Sequence, residues 1–301
     1  MEGLIEEVSM LENNEITKDQ WRIETATLNQ WQYVTEWATL EGWDIGLDDA
    51  SNFFNVDPEG FFIGFLNGKP VAAVSVVNFG EDYAHIGHYL VDKNMRGKSW
   101  GPKLWKEALK HAGDRPKGGD GNLQYERSYG KWGFVTHYQS LRMIGIIEEE
   151  VTAKDNTNIE RIDIENLNAV VAYDQDTVGY SRRSLLQDWF TGEGRVGYLM
   201  RSEDGLSGLV GLRKSTDGYR AGPLYADNLE TLQVLFQQIL SELPAGAQLT
   251  VDAPETDGGE FIQLAESYGL REVFRTNRMY EGDIVEAKVQ RIRAIGSLEL
   301  G

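Results

Sequence analysis

The stretch with the most legible chemistry is R-G-K-S-W-G, Arg96 to Gly101. Gly97-Lys98-Ser99 matches the end of a nucleoside-triphosphate loop, but that loop also needs a glycine five residues upstream so that backbone can wrap the β-phosphate. Asp92 stands there, and Lys93 to Met95 supply no glycine in its place. A carboxylate at that position would repel phosphate, so the ATPase reading is weak. The loop falls between an expected strand, Tyr83 to Val91, and an expected helix from Pro102 to Ala112. The first N–H groups of such a helix, together with its dipole, make an anion site suited to a pyrophosphate. Gly97 and Gly101 allow close backbone approach, and Arg96 and Lys98 add charge-assisted contacts. A pyrophosphate on a long thin arm is the expected ligand.

The elements that must hold this loop read as mixed α/β. Phe61 to Leu66 and Pro70 to Val77 flank Asn67-Gly68, a hairpin signal. The helix after the loop carries Leu104, Trp105, Ala108, Leu109 and Ala112 on one stripe, with Pro102 near its start and Gly113 at its end. The pattern then recurs. Gly133-Phe134 precedes Arg142-Met143 by nine residues, and Gly269-Leu270 precedes Arg278-Met279 by the same distance; E-G-F-F-I-G-F-L from Glu59 parallels E-G-R-V-G-Y-L-M from Glu193. Two similar domains are expected, residues 1–150 and 151–301, joined in the polar stretch Glu148 to Glu160. The second has a matching helix, Leu229 to Leu243, for which Asp227 and Glu230 are read as a capping box.

Composition narrows the function classes. The chain has 301 residues, 41% hydrophobic and 26% charged, as in soluble two-domain proteins. It has no cysteine, which removes disulfides, thiolate nucleophiles and thiolate metal sites. Its four histidines, at 85, 88, 111 and 137, argue against a histidine-rich metal centre, so no metal is expected. The net charge of −19 argues against nucleic acid, and two readings of it stay open: attraction of cationic partners, or simple solubility. No long apolar window occurs and the N-terminal M-E-G-L-I-E-E-V is acidic, so a cytoplasmic protein with no membrane partner is expected.

The run from Leu90-Val91 through Arg96 to Gly101 resembles the pyrophosphate loop of the GNAT acetyltransferases, commonly R/Q-x-x-G-x-G/A and often R-G-x-G-x-G, with Ser99 in place of the middle glycine. Nearly the whole chain is similar to a bacterial subgroup with two tandem GNAT-like domains, judged also by G-W-D-I-G-L-D-D-A-S-N-F-F-N-V-D-P-E-G-F-F-I, R-M-Y-E-G and the final S-L-E-L-G. The resemblance implies two mixed, mostly antiparallel sheets flanked by helices. It also implies an N-acetyltransferase that uses acetyl-CoA and a small-molecule amine, with cofactor contacts at Leu90, Val91, Arg96, Gly97, Lys98, Ser99, Trp100, Gly101 and Asn122.

Further roles follow from the same resemblance. Tyr129, four residues before Gly133-Phe134, takes the place of the family's thiolate-protonating tyrosine; the alternative is a packing tyrosine tied to backbone. Asn122 is either a cofactor contact or ordinary turn chemistry. His85 is the candidate base, or else a structural strand histidine; His88 has the opposite strand parity unless a bulge intervenes. Trp43, Asp44 and Asp49, in a segment that also holds Glu41, Asp48, Phe53 and Phe54, are candidates to hold an ammonium, or else core and helix cap. In the second copy the loop reads G-P-L-Y-A-D-N, without a basic residue, and Ala265 stands where the first has Tyr129. One working site is therefore expected, in the first domain. The second would shape the acceptor pocket, cover the first or mediate assembly, a homodimer included. A protein lysine acceptor and a silent acyl-CoA sensor or scaffold stay open as alternatives.

Overall fold

The computed structural model describes residues 20–153, 155–256 and 258–301; the acidic N-terminal stretch lies outside the described residues. The first half runs β1 (Trp21–Thr25), α1 (Leu28–Leu40), α2 (Asp49–Val56), β2 (Phe61–Leu66), β3 (Lys69–Phe79), β4 (Tyr83–Val91), α3 (Trp100–Ala108), β5 (Lys117–Asn122), α4 (Glu126–Gly130) and β6 (Val135–Ile147). The second runs β7 (Ile159–Arg161), α5 (Leu167–Val178), α6 (Arg183–Trp189), β8 (Arg195–Ser202), β9 (Gly205–Lys214), β10 (Tyr219–Ala226), α7 (Leu229–Leu240), β11 (Ala247–Pro254), α8 (Glu260–Ser267), β12 (Arg271–Glu281) and β13 (Ile292–Ala294).

Local chemistry accounts for most boundaries. Asn67 and Gly68 adopt φ of 52° and 80°, the pair of positive angles that a tight hairpin between β2 and β3 requires. The helix after the loop is α3, continued by a tightened turn over Leu109–Ala112 and closed at Gly113 with φ 57°. At α7 the expected cap is corrected. Asn228, not Asp227, caps the helix: its side-chain oxygen accepts from the Thr231 N–H at 2.9 Å. Asn228 is extended, so its side chain reaches back to the helix, while Asp227 accepts from the Tyr173 hydroxyl and pairs with Arg291 at 2.7 Å.

Among the described residues the strands form one mixed, mostly antiparallel sheet in the order β1-β2-β3-β4-β5-β12-β6-β11-β10-β9-β8-β7, with β13 against β10. Helices flank it, and no described helix is long and apolar enough to cross a membrane. The order departs from two sheets laid edge to edge. Strand β12 lies between β5 and β6, and β6 in turn pairs with β11, so each half lends its long late strand to the other.

The repeated arginines explain the exchange. Arg142 on β6 binds Asp252 on β11 through two hydrogen bonds of 2.7 and 2.9 Å, and Arg278 on β12 binds Asp120 on β5 at 2.9 and 2.5 Å. Each arginine thus meets the aspartate of the opposite repeat, in a buried, bidentate or forked geometry that is costly to break. Arg220 shares Asp252, and Asp49, at the start of α2, accepts from Arg195 at 2.7 Å and Arg213 at 2.9 Å. The halves also share an apolar core: Trp31, Phe53, Phe61 and Tyr83 of the first pack in one cluster with Trp189, Phe190, Tyr225 and Leu300 of the second.

Candidate active site

Strands β4 and β5 are parallel over only three pairs, Ala84 with Lys117, His85 with Gly118 and Ile86 with Gly119. Beyond them the strands diverge, leaving Gly87–Val91 and Asp120–Asn122 as the two edges of an opening. On β4 the pairing with β3 jumps from Ser75–Gly87 to Ala73–Leu90, so His88 and Tyr89 together oppose Val74. Such a bulge re-aims side chains.

The loop closes the wide end. After a single tight turn over Lys93–Met95, Gly97 takes φ 75° and Ser99 φ 64°, and Ser99 starts α3 without a side-chain cap. The helix-start N–H groups are therefore not occupied by a cap. Ser99 sits in a left-handed conformation that glycine adopts without strain, which is why the family pattern has glycine there. Gly101 serves helix-to-strand contact: a Cβ would stand 2.5 Å from the Tyr89 hydroxyl and 2.9 Å from Val91. Leu90 is buried on the α1 side of the sheet and Val91 packs on the α3 side. Arg96 donates to the Val91 carbonyl at 3.0 Å and to Glu41 at 2.6 Å, and Lys98 reaches the Met95 sulfur at 3.8 Å. Trp100 stacks on Trp21 with ring centroids 4.9 Å apart, Lys103 lies over its ring, and its buried indole N–H has no partner among the described residues. An arm ending in a pyrophosphate fits this arrangement of diverging strand edges and uncapped helix.

Tyr129 packs across the other edge. A Cβ on Gly121 would stand 2.8 Å from its ring, and Trp105 lies 5.6 Å away. Burial, with Tyr125 nearby, pushes its hydroxyl up to about 12. Asn122 uses its side-chain oxygen to accept from the Gln124 N–H at 3.1 Å, the turn chemistry read in D-G-N.

The opposite face of β4 is assembled by the far end of the chain. His85 is fully buried, with Nδ1 3.3 Å from the Tyr83 hydroxyl and Nε2 3.3 Å from the Leu298 carbonyl. Burial, reinforced by the Arg278 charge, holds its pKa well below the usual imidazole value. The bulge, with φ 47° at His88, turns that ring onto the same face, where it lies among Trp31, Trp43 and Phe53. His88 Nδ1 meets the Ser75 hydroxyl at 3.0 Å, and its Nε2 has no partner among the described residues. Asp44 and Asp49 are both buried and already engaged. Asp44 accepts from Thr250 at 2.8 Å, and Asp49 serves Arg195 and Arg213. Strand parity concealed His88; Gly87 inside the strand was the available signal, since such a glycine marks a bulge or a close backbone approach.

The second half repeats the opening and fills it. Strands β10 and β11 are parallel over Tyr219–Leu249, Arg220–Thr250 and Ala221–Val251, and then β13 pairs with β10 at Leu224 and Tyr225 while the Ile295 N–H donates to the Asp252 carbonyl. Ile292, Ala294 and Ile295 are buried in this wedge, and Ala265, the counterpart of Tyr129, lies in the core.

The short parallel pairing of β4 with β5 and the Arg96–Gly101 loop before an uncapped α3 are the features to set beside known proteins. Residues 17–125 match the acetyltransferase (GNAT) family, and residues 170–294 match an acetyltransferase (GNAT) domain. The chain is 46% identical over 281 residues to a holothin acyltransferase of Pseudoalteromonas sp. (strain SANK 73390), covering 93% of this chain and 95% of the relative. In fold it is similar to a protein assigned as an acetyltransferase from Pyrococcus horikoshii (TM-score 0.77, 19% identity, 93% and 96% coverage). It is also similar to a tandem GNAT protein from the clavulanic acid biosynthesis pathway (TM-score 0.59, 14% identity, 87% and 98% coverage). The chain belongs to the GNAT acetyltransferase family and is an acyltransferase of tandem GNAT architecture.

Proposed function

We propose that this acyltransferase moves an acetyl group from acetyl-CoA, held in the β4–β5 opening, to the amine of a small molecule. The observation that carries the reading is the asymmetry of the two openings: the first keeps its loop and its diverging edges, and the second is filled by β13. Residues Arg96 to Gly101 would hold the pyrophosphate and the β4 edge would hold the arm, while the cosubstrate supplies the acyl thioester. As the carbon–nitrogen bond forms and the carbon–sulfur bond breaks, the amine loses one proton and the departing thiolate gains one. Tyr129, kept protonated by burial, is assigned the donation to sulfur. Both nitrogens of His85 are already engaged, so the proton from the amine is assigned to His88 Nε2 and His85 becomes a strut between β4 and the 297–301 segment.

For the acceptor, the holothin named for the relative is the first molecule to test. Thiol release would be followed with acetyl-CoA and holothin, arylamines, polyamines, aminoglycosides and a lysine peptide in parallel. Turnover of holothin or an arylamine is expected. Turnover of the peptide alone would replace the small-molecule reading, and tight acetyl-CoA binding with no turnover would favour a sensor.

A further inference from the structure

After leaving the second opening at Ile295, the chain crosses to the first and lies along β4. The Glu299 backbone approaches Gly87 so closely that a Cβ there would come 2.1 Å from the Glu299 carbonyl oxygen. Ser297, Glu299 and Leu300 are buried, Glu299 to 6% exposure. Its carboxylate accepts one side-chain hydrogen bond, from the Ser297 hydroxyl at 2.7 Å, and has no ion-pair partner among the described residues. Asp49, Asp120, Asp174 and Asp252 each have a guanidinium within 3 Å. A buried carboxylate without such a partner is expensive, and the backbone that carries this one runs against Gly87, the residue that precedes His88.

We propose that Glu299 is a positioning residue of the first site, the carboxylate that supports His88 as it takes the proton from the acceptor amine. The inference rests on the reading of the β4–β5 opening as the working site. The groups facing His88 are few. Ser75 holds Nδ1, the rings of Trp31, Trp43 and Phe53 carry no charge, and the titratable neighbours are His85, Asp49 and Glu299. Asp49 is committed to two arginines, which leaves Glu299 as the acid with spare capacity. On its own side Glu299 feels the more distant charges of Arg142, Arg213, Arg220 and Asp120. Burial disfavours the imidazolium of His88, while Glu299 and Asp49 oppose that effect. In the reaction the proton passes from the amine nitrogen to His88 Nε2; before the next turnover the imidazolium gives it up to water, and Tyr129, having protonated the thiolate, takes one back from water.

The test is Glu299→Gln, which keeps shape and removes charge. Imidazole NMR titration, with the His88 resonance assigned by its loss in His88→Gln, should show the His88 pKa falling by roughly one unit. The acid limb of kcat/KM should move to lower pH with it, kcat should fall about 10-fold or more, and acetyl-CoA affinity should stay within about twofold. Glu299→Asp, which keeps the charge, should leave the His88 titration near wild type and guards against a folding defect in the first variant. An unchanged His88 titration in Glu299→Gln overturns the proposal, whatever happens to turnover. If the wild-type protein acylates no amine, the functional reading fails instead, and the titration still decides the role of Glu299.

Discussion

Tyr129 and Arg96 carry the most direct consequences. With its hydroxyl pushed up to about 12, Tyr129 stays protonated throughout the neutral range, so it should add no basic limb to the rate profile below about pH 10. Tyr129→Phe should lower turnover about 100-fold with acetyl-CoA affinity unchanged, as read by steady-state thiol release and calorimetry. Equal turnover would remove the hydroxyl from the mechanism. Arg96 is held by Glu41 at 2.6 Å, and Lys93 shares that acid at 3.5 Å. Binding a pyrophosphate must compete with this pair. Arg96→Ala should therefore weaken CoA binding by roughly 10-fold, and Glu41→Gln should tighten it by a few-fold, because a hydrogen bond to a charged group contributes about 1.5–3 kcal/mol. A Glu41→Gln variant that binds more weakly would mean the pair positions Arg96 for the ligand. The loop was legible because glycines and charges announce themselves in order along the chain. His88 and Glu299 were not, since one depends on a bulge and the other on the approach of Glu299 to Gly87, 212 residues earlier in the chain.

Among the elements, the exchanged strands β6 and β12 carry the largest energetic stake. Burial alone would raise the pKa of Asp252, but Arg142 and Arg220 outweigh it and hold the group at about 2. Because the folded value lies below the unfolded one of about 3.9, this pairing stabilises the protein above about pH 4 and is lost as pH falls towards 2. Asp252→Asn should lower the melting temperature at pH 7, and the difference from wild type should shrink as pH falls from about 4 towards 2, measured by scanning calorimetry. A constant difference across that window would count against the pairing. The hairpin, the loop helix and the repeat itself were readable from local periodicity. The exchange was not, because the pattern of a strand gives its buried face but not its neighbour. The recurring Arg142-Met143 and Arg278-Met279 held the information, but only the positions of Asp120 and Asp252 reveal its meaning.

For the whole molecule, the filled second opening implies one cofactor per chain. Titration calorimetry should find one CoA, and two would mean that β13 yields to the ligand. The net charge of −19 offered little guidance to the acceptor, since the buried acids near the site are mostly taken by arginines of the chain itself. The exchange also predicts that a fragment ending at residue 150 will not fold alone, because β5 would lose β12 and Arg142 would lose Asp252. Coexpression with the remainder should restore a 1:1 assembly by size-exclusion chromatography; a well-folded monomeric fragment would contradict the shared sheet. During synthesis the same arrangement imposes a schedule. Strand β6 emerges from the ribosome long before β12, and at about 5–20 residues per second the first half waits on the order of ten seconds for the strand that completes its sheet. Over that interval the nascent enzyme has its Arg96–Gly101 loop but neither its closing strand nor Glu299, so a prematurely terminated chain would be a client for chaperones rather than a working half-enzyme.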